Sequence, residues 1–174
     1  AAEAPRPLDA KRKLVVLSGK GGVGKSTLSA QLAFALAARG LRVGLLDLDI
    51  CGPSIPHMLG VRGHKVGGGP EGLLQPVEVG QGDGASIAVM SIGFLLGSES
   101  DAVTLRGPRK DAVVRQFLTG VSWGPLDYMI IDTCGMTCTS LAQIAEQMAQ
   151  TPAPAPAPAQ APATALAHAL AQAQ

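Results

Sequence analysis

Apolar positions in this chain form short unbroken runs, and between them lie glycine-rich turns and stripes at helical spacing. Leu14 to Leu17 (LVVL) has no polar alternation, the pattern of a strand covered on both faces. SGKGGVGKST follows, then LSAQLAFALAARG, where Leu28, Leu32, Ala35 and Leu36 recur at helical spacing and Gly40 supplies a stop. A second apolar run, RVGLLDLD, ends in two acids and leads into CGPSIP, whose glycine and two prolines end the strand. Strand, turn, helix and strand make one βαβ unit, with a right-handed crossover expected.

Further along, Gly60 to Gly84 is glycine-rich and weakly patterned, and LLQPVEV (Leu73 to Val79) fits a short edge strand because Pro76 disfavours a central position. Ile87 to Ser91 reads as a third strand, and Asp127 to Asp132 (DYMIID) as a fourth, again ending in an acid. Between them Val113, Val114, Phe117 and Leu118 form a helical stripe within Asp111 to Leu118, and Leu141, Ile144, Ala145 and Met148 suggest a last helix over 139–150. This alternation predicts an α/β domain, a mostly parallel sheet flanked by helices. Three parts are expected: a loose polar arm over 1–13, the folded unit over 14–150, and a low-complexity tail over 151–174. That tail holds eleven alanines, five prolines and no charged residue, and such a segment cannot offset its ordering entropy.

Composition narrows the function classes. The chain has 174 residues, with 14 basic and 13 acidic side chains, so no charge excess marks a nucleic-acid binder. No apolar run approaches membrane-spanning length, and the arm AAEAPRPLDAKRK has no secretory apolar core. Three cysteines, an odd number, favour a reducing compartment over a disulfide scaffold. A soluble cytoplasmic protein is the expectation.

The chemistry concentrates in Gly19-Lys20-Gly21-Gly22-Val23-Gly24-Lys25-Ser26-Thr27, which satisfies G-x-x-x-x-G-K-[ST] between a strand and a helix. Glycines let backbone N–H groups turn toward phosphate oxygens, and the helix start adds its dipole. Lys25 would reach the β- and γ-phosphates, and the Ser26 hydroxyl would sit on Mg²⁺. Asp47 and Asp49 end the second strand beside that phosphate site, where a carboxylate can order a Mg²⁺-bound or attacking water; the alternative is an acidic strand end facing solvent. Asp132 closes its strand as a Walker B acid does, or else caps a helix. Arg106-Gly107-Pro108-Arg109-Lys110 reads as a basic turn opening a helix. His57, His64 and His168 show no metal-ligand spacing and default to the surface.

Lys20 is a second lysine that the general motif does not require. With GKGGVGKST, LLDLDICGPSIPHMLG, MSIGFLL, RGPRK and WGPLDYMIIDT in order over residues 12 to 133, the chain resembles the Mrp/NUBP family of deviant Walker A P-loop ATPases, the cytosolic iron–sulfur scaffold members above all. The resemblance implies a P-loop NTPase fold of the SIMIBI type and ATP and Mg²⁺ as ligands. It implies a homodimer, or a heterodimer with a related scaffold ATPase, in which Lys20 reaches the partner's ATP. It implies water attack on the γ-phosphate with Lys20, Lys25 and Asp49 in catalytic roles, Asp47 supporting Asp49, and Ser26, Asp47, Asp49 and Asp132 around Mg²⁺. Apo iron–sulfur proteins would be the clients, with neither nucleic acid nor membrane as partner.

Departures from the family pattern begin after Thr133. Cys134-Gly135-Met136-Thr137-Cys138-Thr139-Ser140 replaces the family's DTPPGTSDEH, although Gly135 keeps a D-x-x-G spacing from Asp132. The C-x-x-C pair that holds a [4Fe–4S] cluster in the full-length family has no counterpart, so no cluster ligand is identified. The C-x₃-C spacing of Cys134 and Cys138 reads as incidental thiols, and Cys51 as a buried structural cysteine. By resemblance, the strand before the phosphate loop would have one open edge. An alternative function follows from these departures: a non-catalytic form that binds and modulates a full-length partner. A positioning ATPase of the MinD/ParA kind predicts a basic amphipathic C-terminus, which the uncharged tail does not provide.

Overall fold

A computed structural model describes residues 8–49, 52–68, 72–81, 85–95 and 107–133. The last helix expected over 139–150, the tail, the cysteines and Arg106 lie outside the described residues.

Five strands form one sheet: β1 (Ala10–Val16), β2 (Val43–Asp47), β3 (Val77–Gln81), β4 (Ala85–Ser91) and β5 (Leu126–Asp132). Their order is β1-β5-β2-β4-β3, parallel throughout except for β3, which runs antiparallel to β4. The helices are α1 (Lys25–Ala37), a single turn α2 (Ile55–Met58) and α3 (Gly107–Thr119), with a 3₁₀ turn at Ile92–Phe94. The expected mostly parallel α/β sheet is what the chain forms, with β5 inserted between the two strands of the first βαβ unit.

Every residue of β2 is buried, so the sheet is covered on both faces there, which is why VGLLD reads as an unbroken apolar run. Leu45, Leu46, Ile87, Met90, Ile130 and Ile131 fill the centre. Gly44 leaves room for two core side chains: a Cβ there would meet Leu126 Cδ1 at 2.7 Å and Met129 Cε at 2.8 Å, and those side-chain ends would have to shift. In α3 the expected stripe is the buried one, with Val114, Phe117 and Leu118 in the core. The indole N–H of Trp123 donates to the Phe117 carbonyl at 3.1 Å, satisfying one of the helix-end acceptors.

Three elements differ from expectation. β1 begins at Ala10, inside the stretch read as a loose arm, and ends before Leu17. Its charged residues are compatible with a strand because β1 is the last strand of the sheet among the described residues, where Lys11 pairs with Asp127 and Arg12 with Tyr128. β3 starts after Pro76 at Val77, and Leu74 makes only isolated bridges. Position at the sheet edge agrees with the proline argument.

The third difference is in α1. Its buried face is Ser29, Ala30, Ala33 and Ala37 rather than the leucine stripe, and Leu28 is 55% exposed. Small residues let the helix approach β2, β5, β4 and β1 closely, and Leu32 and Leu36 pack along its flanks. Gly40 does end the turn, at φ 75°, with its N–H donating to the Ala37 carbonyl at 2.8 Å.

Candidate nucleotide site

Strand register brings the chemistry together. Val16 is opposite Asp132, Asp132 opposite Asp47, and Asp47 opposite Ser91, so four parallel strands end in one row. Ligands in open α/β sheets bind beyond these carboxyl ends. Thr133 donates its hydroxyl to the Val16 carbonyl at 2.8 Å, tying the end of β5 to the start of the loop.

Gly19 through Gly24 form an exposed loop that leads into α1. Gly22 and Gly24 take φ of 71° and 89°, which disfavours other residues. Gly19 and Gly21 have no such backbone requirement, and a Cβ on either would touch nothing within 4 Å. Their lack of side chains serves space outside the protein, as a backbone cradle for a ligand requires. Lys25 Nζ donates to the Lys20 carbonyl at 3.5 Å, and Ser18 Oγ to the same carbonyl at 2.6 Å, which folds the loop over. Gly24 caps α1 without a side-chain hydrogen bond, and no acid lies in the first turn, so the positive end of the helix is open to an anion.

Behind the loop lie two acids fully removed from solvent, Asp47 and Asp132. Asp132 Oδ1 accepts from the Ser29 hydroxyl at 3.1 Å, while its Oδ2 is buried without a hydrogen-bond partner. Burial raises the Asp132 carboxyl above its ordinary range and the Asp49 charge adds to this, against the pull of the Ser26 and Ser29 hydroxyls and Lys25. Asp47 has partners on both oxygens: the Asp49 N–H on Oδ1 and the Ser91 hydroxyl on Oδ2, each at 3.0 Å. Burial pushes its carboxyl up to about 7, helped by the charges of Asp132 and Asp49. Asp49 accepts the Gly52 N–H on Oδ1 at 3.2 Å. Carboxylates crowded in this way favour a cation among them.

The sequence model of a family described as NUBPL iron-transfer P-loop NTPase matches residues 9–153. This chain belongs to that family. Among curated relatives, the cytosolic Fe-S cluster assembly factor CFD1 of Eremothecium gossypii is 51% identical over 134 residues, covering 76% of this chain and 47% of its own length. The Nubp2 homolog of Drosophila sechellia, also described as a cytosolic Fe-S cluster assembly factor, is 54% identical over 123 residues, 71% of this chain and 46% of its own length. The chain thus spans about half the length of these relatives. A solved nucleotide-binding protein of Archaeoglobus fulgidus, in complex with ADP, superposes with a TM-score of 0.59 at 32% identity, over 82% of this chain and 63% of that one. The fold is that of a P-loop NTPase.

Asp132 interacts with Ser26, Lys25 and Asp49, which sets it beside the loop from Gly19 to Thr27, and Asp47 interacts in turn with Asp132 and Asp49. Among the described residues no three His, Cys, Asp or Glu side chains form a site able to hold a metal ion alone. Mg²⁺ does not need one, because it keeps waters and shares phosphate oxygens. The all-oxygen set of Ser26, Asp49 and Asp132, with a buried carboxylate oxygen left unpartnered, fits that ion. His57 and His64 are exposed, as expected. The RGPRK segment does open a helix, with α3 starting at Gly107. Among the described residues no helix is long and apolar enough to cross a membrane.

Two site residues carried no weight in the sequence. Ser29 lies one turn beyond Lys25, where its hydroxyl is also 3.0 Å from the Lys25 carbonyl, so its single proton is shared between that oxygen and Asp132 Oδ1. Its signal was its position among the small residues of α1. Ser91 gave only the end of an apolar run.

Proposed function

We propose that this chain is the nucleotide-binding part of a cytosolic iron–sulfur cluster assembly ATPase. The relatives described as cytosolic Fe-S cluster assembly factors support the role, and the ADP bound to the archaeal neighbour supports the ligand class. The observation that carries the reading is the pairing of an open glycine cradle with a buried, unpartnered Asp132 oxygen directly behind it.

In this reading the N–H groups of Gly19, Lys20, Gly21, Gly22, Val23, Gly24, Lys25, Ser26 and Thr27 wrap the ATP phosphates. Lys25 places its ammonium on the β- and γ-phosphates, and Lys20 reaches the nucleotide of a second protomer. The second protomer is a further copy or a related scaffold ATPase. Asp49 orients a water for in-line attack on the γ-phosphorus. The bond to the β,γ-bridging oxygen breaks, ADP carries away that oxygen, and inorganic phosphate is released. Ser26, Asp49 and Asp132, with Asp47 supporting them, would hold Mg²⁺, which would supply charge to offset that on the phosphate oxygens. Turnover is coupled to loading or transfer of a [4Fe–4S] cluster, the cargo, to apo client proteins.

Phosphate release from Mg·ATP, by purified chain alone and mixed with a full-length relative, tests the reading. We expect Mg²⁺-dependent release that Asp49→Asn lowers about 100-fold at little cost in nucleotide affinity. Release absent from the chain alone and altered in the mixture would replace this reading with that of a non-catalytic modulator.

A further inference from the structure

Ser91 and Gly93 lie outside the phosphate loop, and the hydrolysis described above makes no use of them. Resting on that reading, we propose that the turn closing β4, from Ser91 to Gly93, positions Asp49 by fixing the segment that carries it against the sheet.

The connection is a directed chain of hydrogen bonds. Ser91 is fully buried, and its Oγ accepts the Gly93 N–H at 3.1 Å. Its single proton goes to Asp47 Oδ2 at 3.0 Å, and the other Asp47 oxygen accepts the Asp49 N–H at 3.0 Å. One buried carboxylate therefore joins the end of β4 to the backbone of Asp49, and Asp49 in turn accepts the Gly52 N–H. A second, apolar contact acts further along. A Cβ at Gly93 would come within 3.3 Å of both Cβ and Cγ of Pro53, so the backbone of Gly93 lies flush against that ring. The segment is held at Asp49 by a hydrogen bond and at Pro53 by packing, and both holds come from the same turn.

A water-orienting carboxylate loses its effect when displaced by about 1 Å. Asp49 follows β2 by two residues, next to Leu48, whose N–H donates to the Asp132 carbonyl of β5 at 2.9 Å. Ser91 and Gly93 add a hold from the β4 side. They are positioning residues, since neither lies in the cradle.

Amide hydrogen exchange on the full chain without nucleotide tests the link directly. Ser91→Ala is expected to speed exchange at Asp49 about tenfold, leaving the β1–β5 ladder at Leu14 and Ile130 unchanged. Ser91→Thr, which retains the hydroxyl, should keep protection, and Gly93→Ala should loosen Gly52 by displacing Pro53. In phosphate release, Ser91→Ala should lower kcat about tenfold with KM within about twofold, and Ser91→Thr should restore it. Unchanged exchange at Asp49 in Ser91→Ala, or at Gly52 in Gly93→Ala, would overturn the proposal. So would equal loss of protection across the whole sheet, which would make Ser91 a stabilising residue only. If Ser91→Ala does not fold, Gly93→Ala decides, by exchange at Gly52. If wild-type chain takes up no Mg·ATP, the hydrolysis reading fails, while the exchange result still settles the link from Ser91 to Asp49.

Discussion

β5 carries an aspartate near each end, and the two have opposite surroundings. At the start, Asp127 meets Lys11 Nζ at 2.7 Å, the Arg42 N–H at 2.9 Å and Arg42 Nε at 3.4 Å. The hydrogen bond from Lys11, then those from Arg42, hold its carboxyl well below the usual carboxylate range. Beside it Arg12 bonds the Tyr128 hydroxyl at 2.6 Å, with its guanidinium over the ring. Five residues on, Asp132 is buried, raised, and missing a partner on one oxygen. One end of the strand is electrostatically complete within the chain; the other is complete only with something added. An acid already matched to cations serves the fold, and one left buried and short of a partner serves a ligand.

The largest expected effect concerns pH. Asp47 has a folded-state pKa of about 7, above its unfolded value of 3.8. The folded chain therefore holds a proton that the unfolded chain releases, so this contribution to stability is fully present below about pH 4 and is lost as pH rises through about 7. In Mg²⁺-free protein, Asp47→Asn should gain on wild type between pH 4 and 8 by on the order of 2 to 4 kcal/mol in urea unfolding. Asp127, with its lowered carboxyl, has the opposite sign, and its contribution is lost as pH falls. A difference between Asp47→Asn and wild type that stays flat with pH would remove the contrast between the two ends.

Next in size, Asp132→Asn should abolish the Mg²⁺-dependent part of ATP affinity, roughly 100-fold, while the apo protein becomes no less stable at pH 8. Calorimetry and denaturant unfolding on one preparation check both signs, and a variant that lost stability and kept its affinity would invert the comparison. Smallest is Asp127→Asn. Its cations Lys11 and Arg42 stand largely in water, and such an ion pair contributes about 1 kcal/mol or less, so unfolding should shift slightly, more at low salt, with nucleotide affinity unchanged.

This contrast was only half legible in the sequence. The loop was visible because its chemistry is contiguous: Gly19 to Thr27 must all lie on one turn to surround a phosphate. The acids were visible one by one, because Asp47, Asp49 and Asp132 each close an apolar run. Their meeting was legible only through the family resemblance, since it depends on β5 lying between β1 and β2, a strand order that no local pattern encodes. Pairing across distance also hid Ser91, whose role exists only opposite Asp47, and Asp127, whose cations come from β1 and the turn before β2. Periodicity misled for α1, where leucines marked the flanks and Ser29, Ala30 and Ala33 the contact face, because a helix close against a sheet needs small side chains more than apolar ones.

Everything at the ligand end depends on the loop taking up a nucleotide triphosphate with its magnesium. Isothermal calorimetry of folded chain with ATP, with and without Mg²⁺, beside Lys25→Ala, measures this most directly. The account predicts binding that Mg²⁺ strengthens and that Lys25→Ala weakens about 100-fold or more without loss of fold. No heat of binding in wild type under either condition, or equal affinity in Lys25→Ala, would contradict it.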